Sequence, residues 1–428
     1  MSGGGPAGPA GEGSNPFEGI FGDLARLLNG AGSGPLNWDV ARQVAVLIAG
    51  EGKAEPNIEP VERIRLEELI HVAELHVSQV TGQSGLARSV QATTHIDWSL
   101  RTLDDWRSLF EKLAEALESD ARSENTEDDL EDADPVLTDP GLEMLGPLGD
   151  LEKFVAPILL GTQVGGMVGH LARRSLGQLD LPLPRNSIDT IVLVPANIKA
   201  FADEWSLPLD ELTLFVCLEE VARASVLRRP HVRDRLSQLL EDYVSAFRPD
   251  PQALQDQLSG MELTDPSQLP SMLNDPQALF GAIQTPEQIQ TLAQISALVA
   301  ALVGYVDWVV AGIARKAIPA SPVIFEAVKR RRVKESDGHR LVEKLLGLEL
   351  SQGQFDRGEA FITGVLNRSS ELALARLWAS SEDLPTPAEV DAPGLWLARI
   401  GVPVDETKFQ GTIPDDLTKP FDGDEPFS

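Results

Sequence analysis

The sequence predicts a mainly α-helical protein with a small β-sheet, and three features of the chain lead to this fold class. Several long segments place apolar residues three or four positions apart, which is the period of a helix with one buried face. One short run, 191–194, is rich in β-branched residues and is followed by Pro195, which is typical of a strand. The 428 residues are 42% hydrophobic and 24% charged, close to the average for a soluble globular protein.

Composition divides the chain into five segments. Residues 1–14 are rich in Gly, Pro and Ala and are expected to form a disordered tail, followed by an N-terminal helical region at 15–118. Residues 119–140 are crowded with Asp and Glu, which favours a solvated acidic linker or loop; an acidic docking segment is the alternative. Residues 141–404 are expected to form the core, and residues 405–428 an acidic disordered tail.

The first half of the chain contains two kinds of helical signal. Residues 17–28 and 61–75 have the period of an amphipathic helix, and a glycine-rich loop follows the first of them. Residues 155–176 are apolar and contain glycines at short spacings. These glycines favour close packing between helices over phosphate binding, because the Gly-x-Gly-x-x-Gly order is absent and no strand precedes them.

The second half is expected to contain a helix at about 209–227 and, in residues 249–285, short helices and loops. A second capping signal lies near the C-terminus, where Thr386 precedes Pro387 and Glu389. Each of these signals is local, so it predicts where a helix begins but not what the helix packs against.

The longest helix is expected to begin after Thr285 and to run to about Lys316. Thr285 suits the N-cap, Pro286 suits the first helical position, and Gln288 can complete a capping box. Residues 295–306 carry no charge, but this run of about a dozen residues is shorter than the ~20 that span a bilayer. Asp307 follows it directly, and an acid at bilayer depth is costly. We therefore expect a buried core helix and no membrane partner.

Charge and cysteine content exclude several classes of function. The formal net charge of −30 repels phosphate backbones and anionic lipids, so nucleic acid and membrane surfaces are not expected as partners. The single cysteine, Cys217, cannot form an internal disulfide and excludes a cysteine-rich zinc site. The first residues lack the basic and apolar parts of a signal peptide. We expect a cytoplasmic protein.

The stretch 214–224 contains the residues that could carry chemistry. Its apolar positions predict a helix with a buried face, and Glu219, Glu220 and Arg223 interrupt that face. Glu219 and Arg223 are four residues apart, so an ion pair on one side of the helix is the simplest interpretation. Cys217, within the same apolar run, is expected to be a buried and inert thiol.

A family resemblance extends over most of the chain. It is carried by Gly34–Asp39, Gly161–Gly165, Leu176–Pro184, Val194–Ile198, Leu214–Ala224, Gly304–Asp307, Leu345–Leu350, Leu384–Glu389 and Trp396–Ala398. In order and spacing these pieces resemble the zincin-like metallopeptidases of type 2, a family of zinc-dependent hydrolases with some members linked to coenzyme F420 biosynthesis. The resemblance implies a zincin-like core preceded by the N-terminal helical region.

The resemblance also implies a His-Glu-x-x-His motif on the helix, in which two histidines bind zinc and the glutamate is the general base. Here only Glu220, at the general-base position, agrees with the motif. Glu219 and Arg223 stand where the two histidines belong, and Val303 stands where a third ligand, a glutamate, is expected. Arg223 and Val303 offer no lone pair to a metal. We therefore expect no metal at these positions, although zinc is the family's cofactor.

Three interpretations of function remain from the sequence, and the third is a structural protein unrelated to peptide binding. The first is a pseudoenzyme that acts as a non-catalytic binding or scaffold protein and holds a peptide or protein in the former cleft. The alternative is an active metal-dependent peptide hydrolase with displaced ligands, for which His170, His231 and Asp307 are the candidates, with Tyr305 nearby. The basic cluster 329–334 is expected to be a solvated helix end, or else a docking site for acidic groups.

Overall fold

Helices dominate the fold, as the spacing of apolar residues predicts. The computed structural model describes residues 34–127, 146–247, 285–334, 342–343, 345–348 and 351–403. In these residues the helices are α1 (Trp38–Ala49), α2 (Pro60–Thr81), α3 (His95–Asp105), α4 (Arg107–Glu127), α5 (Gly146–Ala172), α6 (Pro195–Trp205), α7 (Leu209–Leu227), α8 (Pro230–Ser245), α9 (Pro286–Ala317), α10 (Ser321–Val333), α11 (Gln352–Arg368), α12 (Glu371–Arg376), α13 (Pro387–Asp391) and α14 (Pro393–Arg399). A 3₁₀ turn at Ser381–Asp383 and two strands complete the described elements.

The glycines of α5 allow α1 to pack against it at very short range. A Cβ atom on Gly165 would lie 2.3 Å from the carbonyl oxygen of Ala41, and one on Gly161 would lie 2.5 Å from that of Asn37. Asn37 also caps α1, because its Oδ1 accepts a hydrogen bond from the Val40 amide at 3.1 Å. The predicted role of these glycines in helix packing is confirmed.

The sheet has two parallel strands, β1 (Ser89–Ala92) and β2 (Thr190–Leu193), in the register Ser89 to Thr190 through Ala92 to Leu193. β2 was predicted, but β1 was not: this short strand lies within residues 15–118, for which a helical region was expected. β1 is four residues long and half exposed, so its sequence carries little apolar pattern and pairing with β2 defines it. On the other side of β2, Gly177 forms an antiparallel bridge with Leu193.

Helices α7 and α9 run through the centre of the protein. The side chains of α7 from Leu212 onward are almost all buried, and the capping box at Thr285 and Gln288 is formed at the start of α9. α9 packs against α11 where Gly304 meets Gly358, since a Cβ on Gly304 would lie 2.3 Å from the Gly358 carbonyl oxygen. Within the described residues, α9 alone is long and apolar enough to cross a membrane, and most of its apolar stretch is buried in the fold.

Several boundaries differ from the sequence prediction. α4 continues to Glu127, so the first part of the expected linker at 119–140 is helical, because Glu and Ala favour helix. α6 follows β2 directly, with Pro195 at its first position. The capping box at Thr386 is confirmed. The tails at 1–14 and 405–428, the helix at 17–28 and the short helices of 249–284 lie outside the described residues.

Candidate functional site

Charged residues interrupt the buried face of α7 because the surrounding core supplies partners for them. Glu219, Glu220 and Arg223 are 2%, 1% and 5% exposed. Apolar neighbours on α7, such as Leu218 and Val221, are fully buried beside them. A charge at such depth is tolerated only when it is paired and hydrogen-bonded. The partners of these three side chains therefore define the site.

The carboxylate of Glu219 has a guanidinium group on each of its oxygens. Oε1 accepts a hydrogen bond at 2.5 Å from Nη2 of Arg332, at the end of α10. Oε2 lies 3.4 Å from Nη2 of Arg223, one turn further along α7. The ion pair that the sequence predicts between Glu219 and Arg223 is thus present, but the shorter contact comes from a residue distant in sequence.

Arg332 joins three helices through one side chain. Its Nη1 and Nη2 donate to the two oxygens of Asp307 on α9, both at 2.8 Å, while Nη2 also donates to Glu219 on α7. This two-pronged contact matches the planar fork of the guanidinium. Burial lowers the pKa of Arg332, but Asp307 and Glu219 outweigh it and raise that pKa above its usual range. Arg332 is therefore a fixed positive charge.

Glu220 is held in place by the backbone of the segment before β2. Its Oε2 accepts a hydrogen bond from the Leu179 amide at 3.0 Å, and its Oε1 lies 3.5 Å from Nη1 of Arg223. Gly177 covers the carboxyl group so closely that a Cβ there would lie 2.4 Å from Cδ of Glu220. Burial raises the pKa of Glu220 to about 8, against the opposing effect of Arg223. Near neutral pH, Glu220 is mostly protonated.

Asp180 and Arg331 form a second ion pair, and both side chains are largely buried. Asp180 accepts hydrogen bonds from Nη2 of Arg331 at 3.1 Å and from the Leu176 amide at 3.2 Å. Burial alone would raise the pKa of Asp180, but Arg331 and Arg223 hold it well below its usual range. Arg331 also lies over the ring of Phe201, 5.4 Å from its centre. The buried and partly buried side chains Glu219, Glu220, Arg223, Arg332, Asp307, Arg331 and Asp180 are called the ion-pair network below.

The pH dependence of stability should report the protonation of Glu220. Between its unfolded value of 4.5 and about 8, the folded protein holds a proton that the unfolded chain releases. Stability therefore falls as pH rises through this window, by up to about 1.4 kcal/mol per pH unit. Glu220→Gln cannot titrate, so its free energy of unfolding should improve relative to wild type between about pH 5 and pH 8, as measured by urea denaturation. The exposed Glu326→Gln is the control, and a pH-independent difference for Glu220→Gln would contradict the assignment.

The other candidate residues lie outside the ion-pair network, apart from Asp307. Val303 is 8% exposed and belongs to the apolar core of α9. Tyr305 packs edge-on against Trp378, with ring centres 5.7 Å apart. His170 lies on α5 and His231 in the first turn of α8, and no hydrogen bond among the described residues joins either to the network. The Nε2 atom of His231 is buried and has no hydrogen-bond partner among the described residues.

Cys217 is fully buried on α7, two residues before Glu219. Burial and the nearby Glu220 raise the pKa of its thiol well above the usual range. A thiol with so high a pKa stays protonated and is neither a nucleophile nor a metal ligand at neutral pH. Its expected role as an inert core residue agrees with this environment.

Glu219, Arg223 and Val303, at the positions where the resemblance implies zinc ligands, do not fit a zinc ion. Structural and catalytic zinc sites take at least three protein ligands from Cys, His, Asp or Glu. Of the three positions only Glu219 offers oxygen ligands, and both of them already contact guanidinium groups. Arg223 adds a positive charge, and Val303 offers no lone pair. Among the described residues no group of three or more His, Cys, Asp or Glu side chains is arranged to hold a metal ion.

Sequence reasoning missed Arg331, Arg332 and Asp180. The basic cluster was expected to be a solvated helix end, but the side chains of Arg331 and Arg332 are only 13% and 12% exposed, whereas Arg330 points to solvent with 65% exposure. The spacing of residues within the basic cluster 329–334 does not show which arginine side chains point into the protein. The available signal was on α7, where two acids, Glu219 and Glu220, share one base, Arg223, so that a further base from elsewhere in the chain could be expected.

Comparisons with known proteins agree with this architecture. A family model described as zincin-like metallopeptidase matches residues 36–397. Among solved structures, the chain is similar to a protein from Chloroflexus aurantiacus described as a proposed hydrolase with a novel fold, with a TM-score of 0.57 and 20% sequence identity. The alignment covers 86% of this chain and 99% of that chain, and at this identity it shows a shared fold. A search of curated proteins gave no match.

Proposed function

The chain belongs to the zincin-like metallopeptidase family, and we propose that it acts as a non-catalytic binding or scaffold protein, in which the ion-pair network stands where relatives hold zinc. Three helices, α7, α9 and α10, meet at Arg332. A metal ion joins side chains from several elements in the same way. The ion-pair network would thus hold the three helices in the arrangement of a zinc site without supplying the reactivity of a metal ion.

The observation that carries this proposal is the placement of two guanidinium groups on Glu219. A divalent ion about 4 Å from one of them would be repelled by roughly 8 kcal/mol at an effective dielectric constant of 20. Loss of the pairs to Glu219 would also leave buried arginines without partners. Metal binding at this position would therefore have to disrupt the core that forms it.

Glu220 supports the same proposal, although it keeps the identity of the family's general base. A general base must be ionised and within reach of the proton it removes. Glu220 is mostly protonated near neutral pH, accepts a hydrogen bond from the Leu179 amide and is covered by Gly177. We infer that Glu220 has a packing role here. The alternative of an active hydrolase needs displaced ligands, and within the described residues neither His170 nor His231 forms a hydrogen bond or ion pair with the ion-pair network.

The proposal extends to partners and location. A binding protein of this family would hold a peptide or protein segment, and the net charge of −30 argues against nucleic acid or an anionic membrane. The free, buried thiol of Cys217 suits a reducing compartment, so we propose a cytoplasmic protein.

Metal analysis of the purified protein tests the proposal. After exposure to zinc and desalting, we expect zinc far below one ion per chain, no peptidase activity above a no-enzyme blank, and the same melting temperature with and without EDTA. A protein that needs a structural zinc is destabilised by chelators. Stoichiometric zinc together with EDTA-sensitive peptidase activity would instead establish the alternative function.

A further inference from the structure

A groove with a volume of 330 Å³ lies beside the outer edge of β1, on the other side of the sheet from Gly177 and Glu220. Its walls include Arg63 and Glu67 of α2, Val90 and Ala92 of β1, and Thr94 and Asp97 at the start of α3. The volume is at the lower end of the range for binding pockets and suits a few residues of an extended chain. This groove is separate from the ion-pair network.

The backbone of β1 has free hydrogen-bonding groups along this groove. The amides of Ser89 and Thr93 donate to the carbonyl oxygens of Asp189 and Leu193 across the sheet. Alternate residues of a parallel strand face its partner, so the N–H and C=O groups of Val90 and Ala92 point to the opposite edge. Among the described residues these groups have no partner. Such an edge is a template for another strand.

The charges in the groove indicate which kind of strand fits. Glu67 and Asp97 contribute two carboxylates, and no ion pair within the described part of the chain neutralises either of them. Arg63 contributes one positive charge, so the groove side chains have a net charge of −1. The longer undescribed segments of the chain are poorly matched, because each has more acids than bases: residues 1–33 contain three acids and one base, residues 128–145 contain acids and no base, and residues 248–284 and 404–428 are also acid-rich. A basic partner is favoured over the protein's own tails.

We propose that the outer edge of β1 binds an extended, lysine- or arginine-bearing segment of a partner protein by strand addition. The segment's backbone pairs with Val90 and Ala92, and a basic side chain lies near Glu67 and Asp97. In this mode the backbone supplies affinity and the side-chain contacts supply specificity. This inference rests on the proposed function in one respect: it names the class of partner that a binding protein would hold. The surface involved is the edge of β1 and not the ion-pair network.

Fluorescence anisotropy with a labelled peptide of alternating Lys and Val, about eight residues or ~26 Å long, tests strand addition. We expect saturable binding to the full-length protein. The same peptide methylated on every backbone nitrogen keeps its charge but cannot donate hydrogen bonds, and it should bind at least about tenfold more weakly. A Glu-Val peptide should not bind. Equal binding of the methylated peptide, or no binding of the Lys-Val peptide, would overturn the proposal.

Two variants locate the site. Val90→Pro removes one outward N–H and leaves the β1–β2 hydrogen bonds intact, so affinity should fall at least about fivefold. Glu67→Gln with Asp97→Asn removes the carboxylates without altering the backbone and should weaken binding about threefold or more.

Glu326→Gln, on α10, is the control and should bind like wild type. Circular dichroism checks folding, and unchanged affinity in both groove variants would place any binding elsewhere. Zinc content is measured independently, so failure here and failure of the proposed function are distinguishable.

Discussion

Replacing Arg332 by alanine should lower the free energy of unfolding by about 3–5 kcal/mol, the range for removing one partner of a buried ion pair. The change leaves Glu219, which is 2% exposed, without its shortest hydrogen bond, and it also removes both bonds to Asp307. Asp307 is partly exposed and can be solvated, so the buried Glu219 accounts for most of the loss. Urea denaturation at neutral pH measures the change.

Arg330→Ala is the matched control, because it removes the same side chain two residues earlier on α10. Arg330 is 65% exposed and pairs with Glu326 at i,i+4 on the surface. Such a pair contributes about 0.3–0.5 kcal/mol, so the variant should be close to wild type. Arg332→Lys should fall between the two, since an ammonium group cannot bind both oxygens of Asp307 in the same plane. Equal losses in the two alanine variants would show that Arg332 does not hold the helices together.

The parts of the fold that local sequence defines were predictable. α7 and α9 have clear boundaries because apolar spacing and, for α9, the capping box at Thr285 and Gln288 act within a few residues. β1 was missed because its four residues are half exposed and become a strand only by pairing with β2, about a hundred residues away. Pairing partners at such separation leave no mark in a single sequence.

In the candidate site, too, contacts within one helix were predictable and contacts between distant segments were not. Glu219 and Arg223 lie one helical turn apart, so their ion pair follows from helix geometry. The contact between Arg332 and Glu219 spans 113 residues and depends on the angle at which α10 returns to α7. The sequence showed that a buried acid needed charge compensation but could not show which arginine supplied it. Its protonated neighbour Glu220 likewise depends on Leu179 and Gly177, which precede it in a separate segment.

Changing Glu219→His, Arg223→His and Val303→Glu together should create a zinc site. The two histidines would lie one turn apart on α7, and the new carboxylate would come from α9, which packs against α7. Three protein ligands with an open fourth position match the coordination of a catalytic zinc site. We expect one zinc per chain with a dissociation constant below about 1 µM, measured by competition with a chromogenic chelator.

Arg223 decides the outcome of this experiment. The variant that combines Glu219→His and Val303→Glu but keeps Arg223 should bind no zinc, because it has two ligands and a fixed positive charge beside them. Adding Arg332→Ala to the triple variant should tighten zinc binding, since it removes the second guanidinium group at position 219. If the triple and quadruple variants fold but neither binds zinc, Glu219, Arg223 and Val303 do not occupy the ligand positions. The ion-pair network would then need another explanation than the replacement of a metal.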